Sequence, residues 1–324
     1  MRSPEEFEAF LRGELAGLLA DVERERQAVG ARRQAARLPA PWKLGIGAAG
    51  VALGTWVGSF ELVVLGIVLP FAIDALRMLR VPDTATPRIR QEVLRRAVEF
   101  WDPSFRYLPK GSITRAEFDA SRLFEGEPIH RFRGEDLVQG RHGATAFRFS
   151  ELRAVRVRRR GKRVEEVPVF HGLFFVADFP KHFGGTTLVL PDRAERRLGA
   201  FGRSLQALDG VSGLRLVQLE DPGFERAFAV YASDDTEARY LLSPSLMERL
   251  RRFHENTGSQ LRVSLCSGRV AIAIPLATDF FAVDTAAPLE ASTLRRWMGE
   301  LHFATGIVDE LDLDTRIWSK PPAA

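Results

Sequence analysis

The 324 residues carry 46 lysines and arginines against 42 aspartates and glutamates, a net charge of +4, and a single cysteine. One cysteine excludes an internal disulfide and any multi-cysteine zinc site, which suits a reducing compartment. So small a basic excess does not point to nucleic acid, and the length leaves room for one large or two small folded domains.

Ser3-Pro4-Glu5-Glu6 has the order of a capping box with proline at the first helical position, so a helix starts here. Phe7, Phe10, Leu11, Leu15, Leu18, Leu19 and Val22 then recur at steps of three and four. This predicts one amphipathic helix over residues 3–38 with an apolar stripe. Three covers fit the stripe: the chain's own folded domain, a second copy in a short coiled coil, or the membrane surface.

Leu44 to Leu79 is an apolar run interrupted only by Glu61, Asp74 and Arg77. As one straight helix it would reach about 54 Å, too long for a single crossing of a ~30 Å hydrocarbon core. A break at Gly58-Ser59-Phe60-Glu61 makes it a two-helix membrane hairpin with legs 44–57 and 62–79. Gly50, Gly54 and Gly58 line one face of the first leg, and Gly66 on the second offers a matching gap, so the pattern suits close helix packing. Pro70 predicts a bend. Arg32, Arg33, Arg37 and Lys43 precede the first leg, Arg77, Arg80, Arg88 and Arg90 flank the second, and the turn has no basic residue. The expected topology is a multi-pass protein of a bacterial inner membrane with both termini cytoplasmic.

Residues 1–40 are therefore read as a cytoplasmic helix, 41–80 as the hairpin and 81–324 as a mostly antiparallel cytoplasmic α+β domain, with 105–190 and 211–311 as subdomains. Val81–Thr86 reads as a linker, and Thr86-Pro87 opens a helix to Phe100. Thr114–Ser121 is helical; Ile129–Phe132, Leu137–Gly140, Thr145–Phe149, Val155–Arg159, Val164–Phe170, Leu173–Phe179 and Thr186–Leu190 are strands. A helix over 192–208 follows, then strands Leu214–Leu219 and Ala227–Tyr231, and a helix from Thr236 or Ser243 to Phe253. Strands Leu261–Ser267 and Arg269–Ile274 and a helix Ser292–Leu311 close the chain.

Several stretches carry a family resemblance: Tyr107-Leu108-Pro109; Phe118 with Ser121, Leu123 and Phe124; Gly134-Glu135-Asp136 with Gly140; Phe147-Arg148-Phe149-Ser150-Glu151; Phe170, Gly172 and Phe174; Asp178-Phe179; and Val230-Tyr231 with Glu237-Ala238-Arg239-Tyr240. The chain resembles, over roughly Glu92 to Phe281, bacterial membrane-anchored proteins of domain-of-unknown-function family 3137. The resemblance implies a short cytoplasmic helix, a pair of membrane helices and a cytoplasmic α+β domain, and it brings no catalytic residues.

No residue pattern demands a cofactor or metal. The six histidines lack the i, i+4 pairing of helical metal ligands. His171 and His182 flank Asp178, each reading first as an ordinary surface or hydrogen-bonded histidine; Gly184-Gly185-Thr186-Thr187 could turn amides toward an anion but reads more simply as a turn between two strands; and Asp234-Asp235 with Glu237 could hold a divalent ion through oxygens but reads first as a helix cap. Arg156, Arg158, Arg159, Arg160, Lys162 and Arg163 form a basic hairpin able to meet anionic lipid, with Glu165 and Glu166 partly neutralising it. The favoured reading is a non-catalytic scaffold or adaptor whose partners are membrane lipid and either another protein or a second copy. The alternative is a membrane-tethered enzyme for a phosphate-bearing or lipid-like substrate, with a cleft near Asp178, Asp192 or Asp234.

Overall fold

A computed structural model describes residues 4–79, 85–160, 163–191, 213–258, 260–282 and 289–313. The chain divides into two compact units, one built largely from residues 4–94 and the other from 95–283 and 292 onward.

In the first unit, the helix expected over 3–38 is two helices, α1 (Pro4–Arg12) and α2 (Glu14–Ala36). Gly13 caps α2 with non-helical backbone angles, φ −93° and ψ −92°, so the break falls where no side chain resists it. Ser3 of the expected capping box lies outside the described residues. Phe7, Phe10, Leu11 and Leu15 are buried, and Leu18 is half-buried. The apolar run forms α3 (Ala40–Val57) and α4 (Phe60–Leu79), separated at Gly58 and Ser59. Gly58 ends α3 in the left-handed region at φ 72°, where glycine is favoured. Among the described residues no helix is long and apolar enough to cross a membrane.

The second unit begins within α5 (Ala85–Trp101) and is organised by one nine-stranded sheet. Its strands are β1 (Arg106–Leu108), β2 (Arg131–His142), β3 (Thr145–Arg160), β4 (Arg163–Asp178), β5 (Thr186–Pro191), β6 (Arg215–Val217), β7 (Phe228–Ala232), β8 (Arg262–Cys266) and β9 (Arg269–Pro275). The order is β1-β2-β3-β4-β9-β8-β5-β7-β6, antiparallel at every pairing. Strands from 105–190 and from 211–311 thus share one sheet, and the β4–β9 pairing joins the two stretches expected as subdomains.

Three pairs of short strands expected separately are single long strands. β2 bridges its polar middle with a bulge between Glu135 and Val138, where Asp136 is buried at φ 58° and accepts a hydrogen bond from the Tyr107 hydroxyl. β3 runs through Ser150 and Glu151, which break the apolar alternation yet are buried; the Ile113 N–H donates to Ser150 Oγ at 3.0 Å. β4 continues through His171 and Gly172, where a Cβ on Gly172 would come within 2.1 Å of the Ile274 carbonyl oxygen.

Alternation along β3 and β4 sends aromatic rings to both faces. Phe170 and Phe174 pack with Phe118 of α6 (Arg115–Ala120), and Phe124 packs with Phe118 and Phe170, at centroid separations of 4.8–6.1 Å. Phe147 and Phe175 stack at 5.9 Å on the opposite face, where Phe149 meets Phe280. Thr114 caps α6 in a full capping box with Glu117. The remaining helices are α7 (Pro222–Glu225), α8 (Asp235–Leu241), α9 (Pro244–Thr257) and α10 (Ala291–Glu310). Pro244, which lacks an N–H, starts α9 and separates it from α8. The helix expected over 192–208 lies outside the described residues.

Candidate functional site

The buried polar interruption of β3 marks a site. Glu151 stands opposite Leu173 and Arg153 opposite His171, so Glu151 and His171 are diagonal neighbours on one face of the sheet. His171 Nε2 lies 3.0 Å from Glu151 Oε1 and 3.2 Å from Asp279 Oδ1. Asp279 comes from the loop after β9, and two main-chain bonds fix that loop: the Leu276 N–H donates to the His171 carbonyl at 3.0 Å, and the Phe280 N–H to Glu151 Oε2 at 2.8 Å. Removal from water pushes the Glu151 carboxyl up to about 7, against the stabilising hydrogen bond from His171, with the nearby Asp279 charge adding to the rise. A hollow lined by Leu276, Thr278, Asp279 and Glu300 opens beside it.

The residues grouped from sequence are arranged differently. Asp178 is the last residue of β4, seven residues and roughly 23 Å along the strand from His171 in its middle, at ~3.3 Å per residue. It lines a groove of about 370 Å³ with Arg106, Arg141, Arg148 and Arg269. The Gly184-Gly185 amides do turn toward an anion, but it is the chain's own: Glu237 accepts from both, at 3.0 and 2.7 Å. Asp234 caps α8 by accepting from the Glu237 N–H at 2.9 Å, and Arg239 Nε donates to Asp235 at 3.0 Å. Asp192 lies outside the described residues.

In the basic hairpin, Arg156 is drawn to Glu127 at 3.3 Å and is largely buried, while Arg158 and Arg159 are exposed. Glu165 stands opposite Arg158, and Glu166 pairs with Arg131. Lys162 lies outside the described residues, as do the side chains of Arg160 and Arg163.

The helical pair α3 and α4 presents a different surface. Of seventeen exposed large apolar side chains among the described residues, thirteen fall between Trp42 and Leu76, including Trp56 at 84%, Phe60 at 80% and Phe71 at 65%. Gly50 and Gly66 meet backbone to backbone, since a Cβ on Gly50 would lie 2.4 Å from Gly66 Cα. Gly54 is filled by Val63, whereas Gly58 faces open space. Lys43 pairs with Asp74, whose Oδ1 also accepts from the Leu38 N–H at 2.7 Å. The two helices thus neutralise one charge of each sign between themselves.

Comparison with known proteins bears on the sheet. The model of DUF3137, a family described as proteins of unknown function, matches residues 168–313, from within β4 to just beyond α10. Residues 168–313 are thus similar to DUF3137 proteins. Within the DUF3137 match lie His171, Gly172 and Asp279, while Glu151 precedes it on β3. No curated relative matches the chain. Among solved structures, the crystal structure of the mycobacterial trehalose monomycolate transport factor A, TtfA, aligns with 71% of this chain and 98% of that one, at 11% identity and a TM-score of 0.32. A likeness that slight carries no argument about this chain.

Proposed function

We propose that the protein is a non-catalytic membrane-bound adaptor: α3 and α4 act as one lipid-embedded hairpin in a bacterial inner membrane, and the sheet unit is the cytoplasmic part that meets a protein partner or the anionic lipid surface. The supporting observation is the concentration of exposed apolar side chains between Trp42 and Leu76. A patch of this kind is costly in water and marks a lipid or protein contact; transfer of each such side chain to hydrocarbon is worth about 1.5–3 kcal/mol. Inserted as a unit, the hairpin carries Lys43 and Asp74 as a neutralised pair. Arg158 and Arg159 provide exposed positive charge for the lipid headgroups.

The experiment is carbonate extraction of membranes holding the full chain, beside a Leu65→Asp/Val68→Asp variant. Wild type retained in the pellet and the variant released agree with the proposal; wild type released by carbonate sinks it. A reporter fused after Ala324 that proved extracytoplasmic would overturn the orientation.

A second reading has one observation in its favour. The groove that places Asp178 among four arginines suits a phosphate-bearing ligand. Specific turnover of a phosphoester, lost in Asp178→Asn, would replace the adaptor reading with the enzymatic one.

A further inference from the structure

We propose that Glu151, His171 and Asp279 form a binding site for a divalent transition-metal cation, with zinc as the best fit. The site goes beyond the adaptor reading and does not depend on it. His171 Nε2, Glu151 Oε1 and Asp279 Oδ1 converge, all within 4.8 Å of one another. Zinc holds nitrogen and oxygen ligands at about 2.0–2.1 Å, so neighbouring ligand atoms in a tetrahedral shell stand roughly 3.3–3.4 Å apart. The separations of His171 Nε2 from the two carboxylate oxygens, 3.0 and 3.2 Å, are already close to that spacing. Loading the site requires the His171 Nε2 proton to leave and the three atoms to move apart by a few tenths of an ångström.

The ligand types choose among metals. Imidazole nitrogen favours zinc and its neighbours in the first transition row over magnesium or calcium, which prefer shells made entirely of oxygen. One nitrogen and two carboxylate oxygens neutralise the charge of a divalent ion and leave a fourth position for water, which the hollow beside Asp279 supplies.

The surroundings hold the ligands in place as outer-shell partners of a metal do. Glu151 Oε2 is engaged by the Phe280 N–H, which turns Oε1 toward the imidazole. The bond from the Leu276 N–H to the His171 carbonyl ties the loop carrying Asp279 to the strand carrying the histidine. Burial raises the Glu151 proton affinity, a cost that a bound dication offsets by stabilising the carboxylate. Neither carboxylate was paired with His171 in the sequence reading, because 20 and 108 residues separate them from it along the chain.

The test uses full-length protein in detergent, stripped with chelator and titrated with Zn²⁺ against a chromophoric competitor, with Co²⁺ as a spectroscopic substitute. Wild type should take up one equivalent, show the visible bands of four-coordinate Co²⁺, and gain thermal stability with Zn²⁺. Asp279→Asn alters an exposed side chain and leaves the fold intact; it should weaken Zn²⁺ at least about tenfold. His171→Ala should abolish the cobalt bands, whereas His182→Ala and Asp178→Asn should leave them unchanged. Absence of stoichiometric binding in wild type, or binding unaltered in both Asp279→Asn and His171→Ala, overturns the proposal. Failure of the membrane reading leaves each of these outcomes unaffected.

Discussion

The helical hairpin and the sheet use similar apolar residues in opposite senses. On and against the sheet, Phe118, Phe149, Phe174 and Phe175 are at most 1% exposed, whereas Trp56 and Phe60 of the hairpin are at least 80% exposed. The sheet has two faces to fill and fills both with rings. In the hairpin α3 and α4 close on each other glycine against glycine at Gly50 and Gly66, and the large apolar side chains point outward. The direction of the side chains, more than their number, separates a core from a contact surface.

Truncation in the aromatic core against the sheet should produce the largest effect. Phe118→Ala removes a ring in contact with four others and should cost about 3–5 kcal/mol, read as a lowered urea midpoint. Gly50→Leu tests the hairpin's interface. With Gly66 Cα 2.4 Å from the new Cβ the helices must separate, and the expected loss is about 1–3 kcal/mol, detected as weaker cross-linking between cysteines placed on α3 and α4.

Another effect concerns pH. The Glu151 carboxyl titrates near 7 in the folded protein against an ordinary value of 4.5. An acid raised in this way binds its proton more tightly when folded, so its contribution is complete below about pH 4.5 and lost as pH rises through about 7. In metal-free buffer wild type should lose stability across that window and Glu151→Gln should lose less; equal slopes would mean that the carboxyl is not strained by burial. The smallest change should come from Trp56→Ala in detergent, within about 0.5 kcal/mol. A loss as large as that of Phe118→Ala would erase the contrast between the two regions.

Short-range features were legible in the sequence because their partners are near in the chain. The break at Gly58, the cap at Asp234 and most helix ends follow from residues within four positions of one another. Distant partners were not legible. Ser150 and Glu151 looked like the end of a strand because the groups that satisfy them, the Ile113 and Phe280 N–H donors, lie 37 and 129 residues away. Gly184 and Gly185 were read first as a turn between strands; that their amides also meet an anion, Glu237 from α8, could not be seen because Glu237 is more than fifty residues away. His171 was set beside Asp178 by proximity in sequence, although seven residues along an extended strand hold them roughly 23 Å apart at ~3.3 Å per residue. The α+β class was legible, but its two stretches proved to be one sheet because nothing local announces that β4 pairs with β9.

That last pairing also sets a schedule for synthesis. Asp178 faces Arg269, so about 90 residues must follow β4 before its second neighbour exists. At ~5–20 residues per second that is on the order of 5–20 s during which a rich apolar edge stands open on the nascent chain. Closing so long a loop is slow compared with forming the β2-β3-β4 meander. The meander must therefore be guarded while the remainder is made, and a pause in translation between β5 and β8 should lower the yield of folded protein more than one placed before β2.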